Sequence, residues 1–425
     1  MESYSLKPRE KVAIIESLKA GITPKIGLKH IQVGRKSEVE QIIKDLGIVA
    51  DGGAKVRFII GDYGSGKTFF LTLSKLIAQE KNFVAINADI TEDKTLSSGD
   101  NRSQNLFMEL VNNMSIKSKY NGGALQSVIE KWLTGVLDAA GNIDLAGIRK
   151  ILSPLENYSS SYDFCAVLSQ YFQAFMNCDD VKMSNCLRWL RAEYNTKTDA
   201  KNDLGVRTII NNDNFYDYLK LYARFIKMAG YGGLLVLVDE LAVVSRFKKQ
   251  LRDKNFERIL TIINDCLQGN AENIEFIFGG ATDFLEDEFR GMRSYGALRT
   301  RLAENQFSSE ECRDLSGLVM RLNNLTQEEL FILLQNIRNV SAEYNAEKYL
   351  LSDGDIEKYM KFVLSTLGAK SFLSPRESVK GFVGLLEQLE NNPGKNIDYF
   401  LNRKEITIEK TNGGDDFGGF DLNNL

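Results

Sequence analysis

Short apolar runs alternate along the chain with segments in which apolar residues recur every three or four positions. Five runs have the length and β-branched content of strands: 56–60, 83–87, 234–238, 274–278 and 319–322. Helical spacing is found at 8–20, from 37, after 67, over 104–228 and over 326–390. The run at 234–238 is apolar throughout, as in a strand buried on both faces of a parallel sheet. The pattern therefore predicts a layered α/β fold with a parallel sheet.

The 104–228 segment is long for a connection between two strands of one sheet. Glycine-containing breaks at 121–123, 141 and 205 divide it into several predicted helices. Because connections in compact domains rarely exceed about 15 residues, we interpret the segment as a helical insertion. It contains Trp132 and Trp189 among lysines and arginines. Two interpretations stay open for these residues: aromatic rings that stack on bases, or core residues beneath a solvated basic face.

The composition excludes several classes of function. The chain has 43% hydrophobic and 26% charged residues and a formal net charge of −4, so no global positive field draws it to nucleic acid. A local basic groove remains compatible with these numbers. The single histidine, His30, excludes a His-rich metal site and any Ser-His or Cys-His catalytic pair. The N-terminus does not resemble a signal peptide and no apolar window is long enough for a membrane span, so we expect a cytoplasmic protein.

The strand at 56–60 leads into a complete phosphate-binding motif. The pattern G-x-x-x-x-G-K-[ST] is formed by Gly61, Asp62, Tyr63, Gly64, Ser65, Gly66, Lys67 and Thr68, and Phe69 follows. The glycines let backbone N–H groups turn toward the phosphates of ATP, and the following helix adds its positive dipole end. Lys67 is predicted to reach the β- and γ-phosphates, and the Thr68 hydroxyl to ligate Mg²⁺.

The apolar strand at 234–238 ends in two acidic residues. We predict that Asp239 helps to hold Mg²⁺ and that Glu240 polarises the attacking water. Such a strand end alone is equally compatible with a solvated edge, but together with the phosphate-binding loop it predicts ATP hydrolysis. After the strand at 274–278, Thr282 is predicted to sense the γ-phosphate, with Asp283 as the alternative. A plain glycine-rich turn is the remaining interpretation.

A group of arginines follows, comprising Arg290, Arg293, Arg299 and Arg301. We predict that Arg301 is an arginine finger that stabilises the transition state in a neighbouring subunit. The predicted catalytic residues are then Lys67, Glu240, Thr282 and Arg301. Ordinary surface ion pairs are the alternative for these arginines.

In this order the motifs resemble those of an AAA+ ATPase. The segment Ile31–Glu38 is similar to the box that lines the adenine side of the site in such proteins, which implies nucleotide contacts for Val33, Gly34 and Arg35. The sequence Ser374-Pro375-Arg376-Glu377 resembles the start of a lid helix, which implies that Arg376 contacts the nucleotide as a sensor-2 arginine. The implied fold is an AAA+ (ASCE) P-loop core with a large helical insertion, a small helical lid and a flexible acidic C-terminal tail.

The predicted organisation has five parts. They are 1–103, the N-terminal helices and first half of the AAA+ core; 104–228, the helical insertion; 229–323, the second half of the core; 324–402, the helical lid; and 403–425, a disordered acidic tail. The tail contains Asp415–Leu422, either a docking peptide or a solubilising segment. It is too short for a winged-helix DNA-binding domain.

A closer resemblance is to the BrxD family of ATP-binding proteins from BREX-type bacterial phage-defence clusters. Beside the phosphate-binding loop, it is carried by Leu187–Leu190 and by Gly230–Leu234, and it runs from about residue 8 to 390. It implies an Mg²⁺-dependent ATPase in anti-phage defence, with a helicase or another defence protein as partner. DNA would be bound directly or through the partner, and a homo-oligomer would let the finger act in trans. The alternatives are an ATP-binding regulatory switch with little turnover, and a DNA-loading or remodelling ATPase of replication or repair.

Overall fold

The computed structural model describes residues 6–140, 143–158, 160–307, 313–366 and 375–402. These form two compact units. One is Thr23–Thr326, and the other combines the residues up to Ile22 with those from Gln327 onward. The predicted tail at 403–425, its segment Asp415–Leu422 and residue Ser374 lie outside the described residues.

The first unit is built around one five-stranded sheet. Its strands are β1 Ala54–Ile60, β2 Val84–Asp89, β3 Leu234–Asp239, β4 Ile274–Gly280 and β5 Val319–Arg321. The order is β2-β3-β4-β1-β5 and every pairing is parallel, which confirms the predicted parallel sheet. Because the carboxyl ends of parallel strands share one edge, the loops after β1, β2, β3 and β4 converge there.

Helices make up most of the remaining described structure. The α-helices are α1 Pro8–Lys19, α2 Lys36–Ala50, α3 Lys67–Glu80, α4 Arg102–Asn112, α5 Leu125–Ala140, α6 Leu145–Leu152, α7 Ser161–Met176, α8 Asp180–Leu190, α9 Lys197–Leu204, α10 Phe215–Met228, α11 Lys249–Gln268, α12 Thr282–Glu286, α13 Gly296–Arg301, α14 Gln327–Ser341, α15 Asp353–Thr366, α16 Pro375–Asn391 and α17 Ile397–Leu401. Short 3₁₀ helices span Leu28–His30, Ser153–Leu155, Leu241–Arg246, Met292–Ser294 and Ala346–Lys348. No helix in the described part of the chain is long and apolar enough to cross a membrane.

The two faces of the sheet bury different sets of helices. On one face, Ile59 of β1, Leu237 of β3 and Ile277 of β4 pack with residues of α2 and α3. On the other, Phe58 and Phe278 stack with ring centroids 5.2 Å apart and join one continuous core with residues of α4 to α11. The predicted insertion therefore shares the core of the sheet and does not form a separate unit.

Both tryptophans of the insertion are core residues. Trp132 is 3% exposed and Trp189 is 1% exposed. The indole Nε1 of Trp189 donates to the carbonyl of Thr208 at 2.9 Å, which fixes the segment between α9 and α10. The interpretation that these two rings stack on bases is wrong, because their faces pack against Phe225 and Tyr218.

The second unit is helical. In it α1 packs against α16 and α14, and the ion pairs Lys11–Glu343 and Lys19–Glu387, at 2.8 and 2.7 Å, link α1 to later helices. The sequence analysis placed α1 with the first half of the nucleotide-binding core, whereas its contacts put it in this unit. The reason is its apolar face, which buries Ile14.

A buried carboxyl group lies near the start of β4. Glu275 is fully buried, in register with Lys55 of β1, and neither carboxyl oxygen has a hydrogen-bond partner among the described residues. Desolvation raises its pKa well above the ordinary range, and Asp45 raises it further, while Arg57 and Lys55 act in the opposite direction. Arg57 is committed to Asp45, with Nε–Oδ2 and Nη2–Oδ1 distances of 2.6 and 2.9 Å. Glu275 thus keeps its proton at pH values where an exposed glutamate has lost it.

We expect Glu275→Met to raise the free energy of unfolding, and to raise it more at about pH 7.5 than at about pH 5.5. Above about pH 4.3 the unfolded chain releases this proton while the folded chain retains it. Wild-type stability therefore falls with rising pH, by up to about 1.4 kcal/mol per unit, until the folded-state pKa is reached. Urea denaturation at the two pH values measures the difference.

Glu275→Gln is the matched control, since it keeps the shape and polarity of the side chain but cannot titrate. It should lose the same pH dependence while gaining little stability, because its buried amide lacks partners. The same pH dependence in wild type and both variants would show that Glu275 does not titrate differently in the two states.

Candidate functional site

The phosphate-binding loop joins β1 to α3 at the carboxyl edge of the sheet. Gly64 and Gly66 have left-handed φ values of 80° and 93°, which residues with a Cβ rarely adopt. At Gly61 a Cβ would lie 2.6 Å from Ser65 Oγ and 2.8 Å from the Leu322 carbonyl oxygen, so only glycine fits there. The three glycines thus give the loop its wrapped shape.

Several hydrogen-bonding groups of this loop are available to a ligand. Helix α3 starts at Lys67 with no side chain capping its N-terminus, and Ser65 Oγ is buried without a hydrogen-bond partner among the described residues. Lys67 Nζ donates to the carbonyls of Gly61 and Asp62, both at 2.8 Å. Burial lowers the pKa of the Lys67 ammonium, while Asp239 and Glu240 act in the opposite direction. Uncapped N–H groups, a dipole end and an ammonium group together suit a polyphosphate.

The predicted metal ligands are in contact. Thr68 Oγ1 donates to Asp239 Oδ2 at 2.8 Å, although 171 positions separate the two residues. Asp239 is 8% exposed at the end of β3. A hydroxyl and a carboxylate beside a phosphate-binding loop are the oxygen donors that Mg²⁺ prefers, since this ion is usually held by one or two carboxylates plus substrate phosphates. The donor set therefore fits Mg²⁺.

Glu240 follows directly and has a strained backbone. Its φ of 59° and ψ of 33° are left-handed, and its N–H donates to Asp239 Oδ1 at 2.9 Å. Partial desolvation raises the pKa of its exposed carboxyl, and Asp239 and Asp89 raise it further. Lys67 and Arg246 lower the same pKa. A carboxylate with a raised pKa at the site's edge is suited to accept a proton.

Asp89 is a site residue that the sequence analysis missed. The predicted strand stopped at Asn87, but β2 continues to Asp89, which lies in register with Asp239. Desolvation, Asp239 and Glu109 raise the pKa of Asp89, while Lys94 and Lys25 lower it. A polar residue just after an apolar run was the available signal, because it marks the carboxyl end of a strand.

Thr282 begins α12 and reaches the phosphate-binding loop. Its Oγ1 donates to Asp62 Oδ1 at 2.8 Å. Of the two candidates after β4, this contact brings Thr282 to the loop; its role as a γ-phosphate sensor stays a prediction.

Gly279 is a second residue whose importance the sequence did not reveal. It was assigned to a turn, but Gly279 and Gly280 are the last residues of β4. A Cβ at Gly279 would lie 2.2 Å from Asp239 Oδ1, closer than any real contact. The missing side chain therefore gives the Asp239 carboxylate its place.

The residues proposed for the adenine side also contact the loop. Arg35 Nη2 donates to the Ser65 carbonyl at 3.2 Å and to the carbonyl of Asn323. Its guanidinium lies 3.7 Å from Glu38, which also pairs with Arg313 at 3.0 Å. Gly34 and Arg35 have φ values of 66° and 61° at the start of α2. The box that includes Val33 is therefore joined to the phosphate-binding loop.

Two of the predicted residues lie apart from these contacts. Arg301 Nε donates to Asn264 Oδ1 of α11 at 3.3 Å. Arg376 is in the other unit, where a Cβ on Gly21 would be 3.3 Å from its Nε. The finger and sensor roles of Arg301 and Arg376 remain predictions.

Comparison with protein-family models gives one match. The model described as BREX system ATP-binding protein BrxC/D matches residues 6–405. No curated protein matches the chain.

Proposed function

Because the chain belongs to the BREX system ATP-binding protein BrxC/D family, we propose that it is an Mg²⁺-dependent ATPase of the AAA+ type that serves anti-phage defence. The observation that carries the proposal is the 2.8 Å contact between Thr68 of the phosphate-binding loop and Asp239, with Glu240 next in the chain. It joins a phosphate-binding element to a metal ligand and a base at one edge of the sheet. A protein that only bound ATP would not need that base.

The proposed mechanism is in-line attack of water on the γ-phosphate. The loop amides and Lys67 bind the phosphates and offset their charge, and Thr68 and Asp239 would hold Mg²⁺. When bound, Mg²⁺ supplies neutralisation of the charge that develops on the phosphate oxygens. Glu240 orients the water and takes its proton, and its raised pKa favours that transfer. Thr282, tied to the loop through Asp62, reports whether the γ-phosphate is present.

The wider proposal concerns partners. A helicase or another defence protein, with DNA bound directly or through it, would use the ATP cycle, and a homo-oligomer would bring Arg301 to a neighbouring site. Since Trp132 and Trp189 are buried, direct DNA contact would rely on the charged surface and not on stacking by these rings.

We expect wild-type protein to turn over ATP in Mg²⁺, to stop after chelation, and to lose turnover in Lys67→Ala. The reason is that the lysine and the metal together offset the phosphate charge. Phosphate release, followed with and without duplex or single-stranded DNA, measures this. Stimulation by DNA that weakens steeply with salt would support action on DNA. ATP binding without turnover, even with a helicase added, would replace the hydrolase by a regulatory switch.

A further inference from the structure

The segment after Glu240 needs support from its surroundings. A left-handed conformation at a residue with a side chain costs about 1–3 kcal/mol and persists only where neighbouring structure imposes it. Glu240 leads into the 3₁₀ helix Leu241–Arg246, whose Leu241 and Val244 are buried. The Val243 N–H donates to the Glu240 carbonyl at 3.1 Å. The position of Glu240 therefore depends on how this 3₁₀ helix is held.

Arg290 holds the far end of that 3₁₀ helix. Its Nε donates to the Ser245 carbonyl at 2.9 Å, and its Nη2 donates to the Arg246 carbonyl at 3.3 Å. The last carbonyls of a helix lack internal partners, and a cation there also meets the negative end of the helix dipole. The planar guanidinium serves two such carbonyls at once.

Arg290 is itself fixed by the loop after β4. Asp287 Oδ1 accepts hydrogen bonds from the N–H groups of Phe289 and Arg290, at 2.7 and 3.1 Å. A Cβ at Gly291 would lie 2.6 Å from the carbonyl oxygens of Asp287 and Phe284, so the turn closes tightly there. This loop begins with α12, whose first residue, Thr282, contacts the phosphate-binding loop. One series of contacts thus links that loop to the Glu240 segment.

The neighbouring arginines make different contacts. Arg299 pairs with Glu288 at 3.5 Å, Arg293 with Glu304 at 3.9 Å, and Arg301 donates to Asn264. Within the described residues, none of these three donates to the segment after Glu240.

We propose that Arg290 is a positioning residue that acts within its own subunit, holding the Leu241–Arg246 helix and with it the backbone of Glu240. For catalysis this rests on the proposed ATP hydrolysis; for structure it does not. Arg290 therefore differs from an arginine finger, which would leave its own chain to reach another subunit's nucleotide.

The first test needs no turnover. Amide hydrogen exchange of peptides covering 240–247 is measured in nucleotide-free wild type, Arg290→Ala, Arg290→Lys and the matched control Arg299→Ala. Exchange should be about tenfold faster in Arg290→Ala, intermediate in Arg290→Lys and unchanged in Arg299→Ala. Equal exchange in wild type and Arg290→Ala overturns the proposal, as does the same acceleration in Arg299→Ala.

The second test uses kinetics. In Arg290→Ala we expect kcat to fall about tenfold with KM for ATP within about twofold of wild type, because Glu240 is displaced while the phosphate-binding loop is intact. Asp287→Ala should reproduce the fall, and Asp287→Asn, whose amide oxygen can still accept, should largely avoid it. Recovery of turnover on mixing Arg290→Ala with Glu240→Gln would show a finger in trans and overturn the proposal. A wild type without turnover would defeat the proposed hydrolysis alone, since the exchange result stands independently.

Discussion

Glu240→Gln is expected to bind ATP in the presence of Mg²⁺ and to hydrolyse it about 10²–10⁴-fold more slowly than wild type. Loss of a positioned general base has an effect of that size. The amide keeps the shape of the side chain but cannot take a proton from water. ATP retention on the protein and phosphate release, measured on the same preparation, separate binding from chemistry.

Binding itself should be equal or tighter in Glu240→Gln. Asp239 and Asp89 already raise the pKa of Glu240, so the site holds several carboxylates close together. Removing one negative charge favours a polyphosphate ligand. Glu257→Gln, the same change on the exposed side of α11, is the control and should behave as wild type. Turnover in Glu240→Gln within about threefold of wild type would assign the base to another residue.

Local sequence carried most of the information about the strands and the phosphate-binding loop. The apolar run before Gly61 could be read directly, because a strand buried on both faces has no polar positions and a glycine ends it. The same holds for the run before Asp239, which predicted both the strand and its acidic end. Contact between Thr68 and Asp239 confirms that these two motifs meet. Membership of the BREX ATP-binding family is likewise confirmed.

What the sequence could not give is set by pairing between distant segments. The order of the strands puts β4 between β1 and β3, and only that register brings Gly279 against Asp239. Asp89 became a site residue because β2 pairs with β3 as far as Asp239. The burial of Trp132 and Trp189 also depends on helices far apart in the chain. Periodicity predicts that a helix has an apolar face but not which surface that face covers.

Gly279→Ala is expected to reduce ATP turnover by about 10–100-fold and to raise the Mg²⁺ concentration needed for half-maximal turnover, with the fold retained. Both oxygens of Asp239 are engaged, Oδ2 by the Thr68 hydroxyl and Oδ1 by the Glu240 N–H. A methyl group 2.2 Å from Oδ1 forces the carboxylate to turn, so at least one of these contacts is lost. Turnover measured across a Mg²⁺ titration, with a thermal melt of the same sample, detects the change.

Gly280→Ala provides a control at the next position of β4. Its Cβ would meet Ile60 Cδ1 at 3.2 Å and Phe284 Cδ1 at 3.3 Å, and neither is a site atom. Crowding of these apolar groups should lower the melting temperature while leaving turnover and Mg²⁺ dependence within about threefold of wild type. Wild-type Mg²⁺ dependence in Gly279→Ala would mean that the carboxylate can turn without consequence, and Asp239 would then not be a ligand. A loss specific to Gly279→Ala would instead assign the metal to Asp239 through a residue that has no side chain.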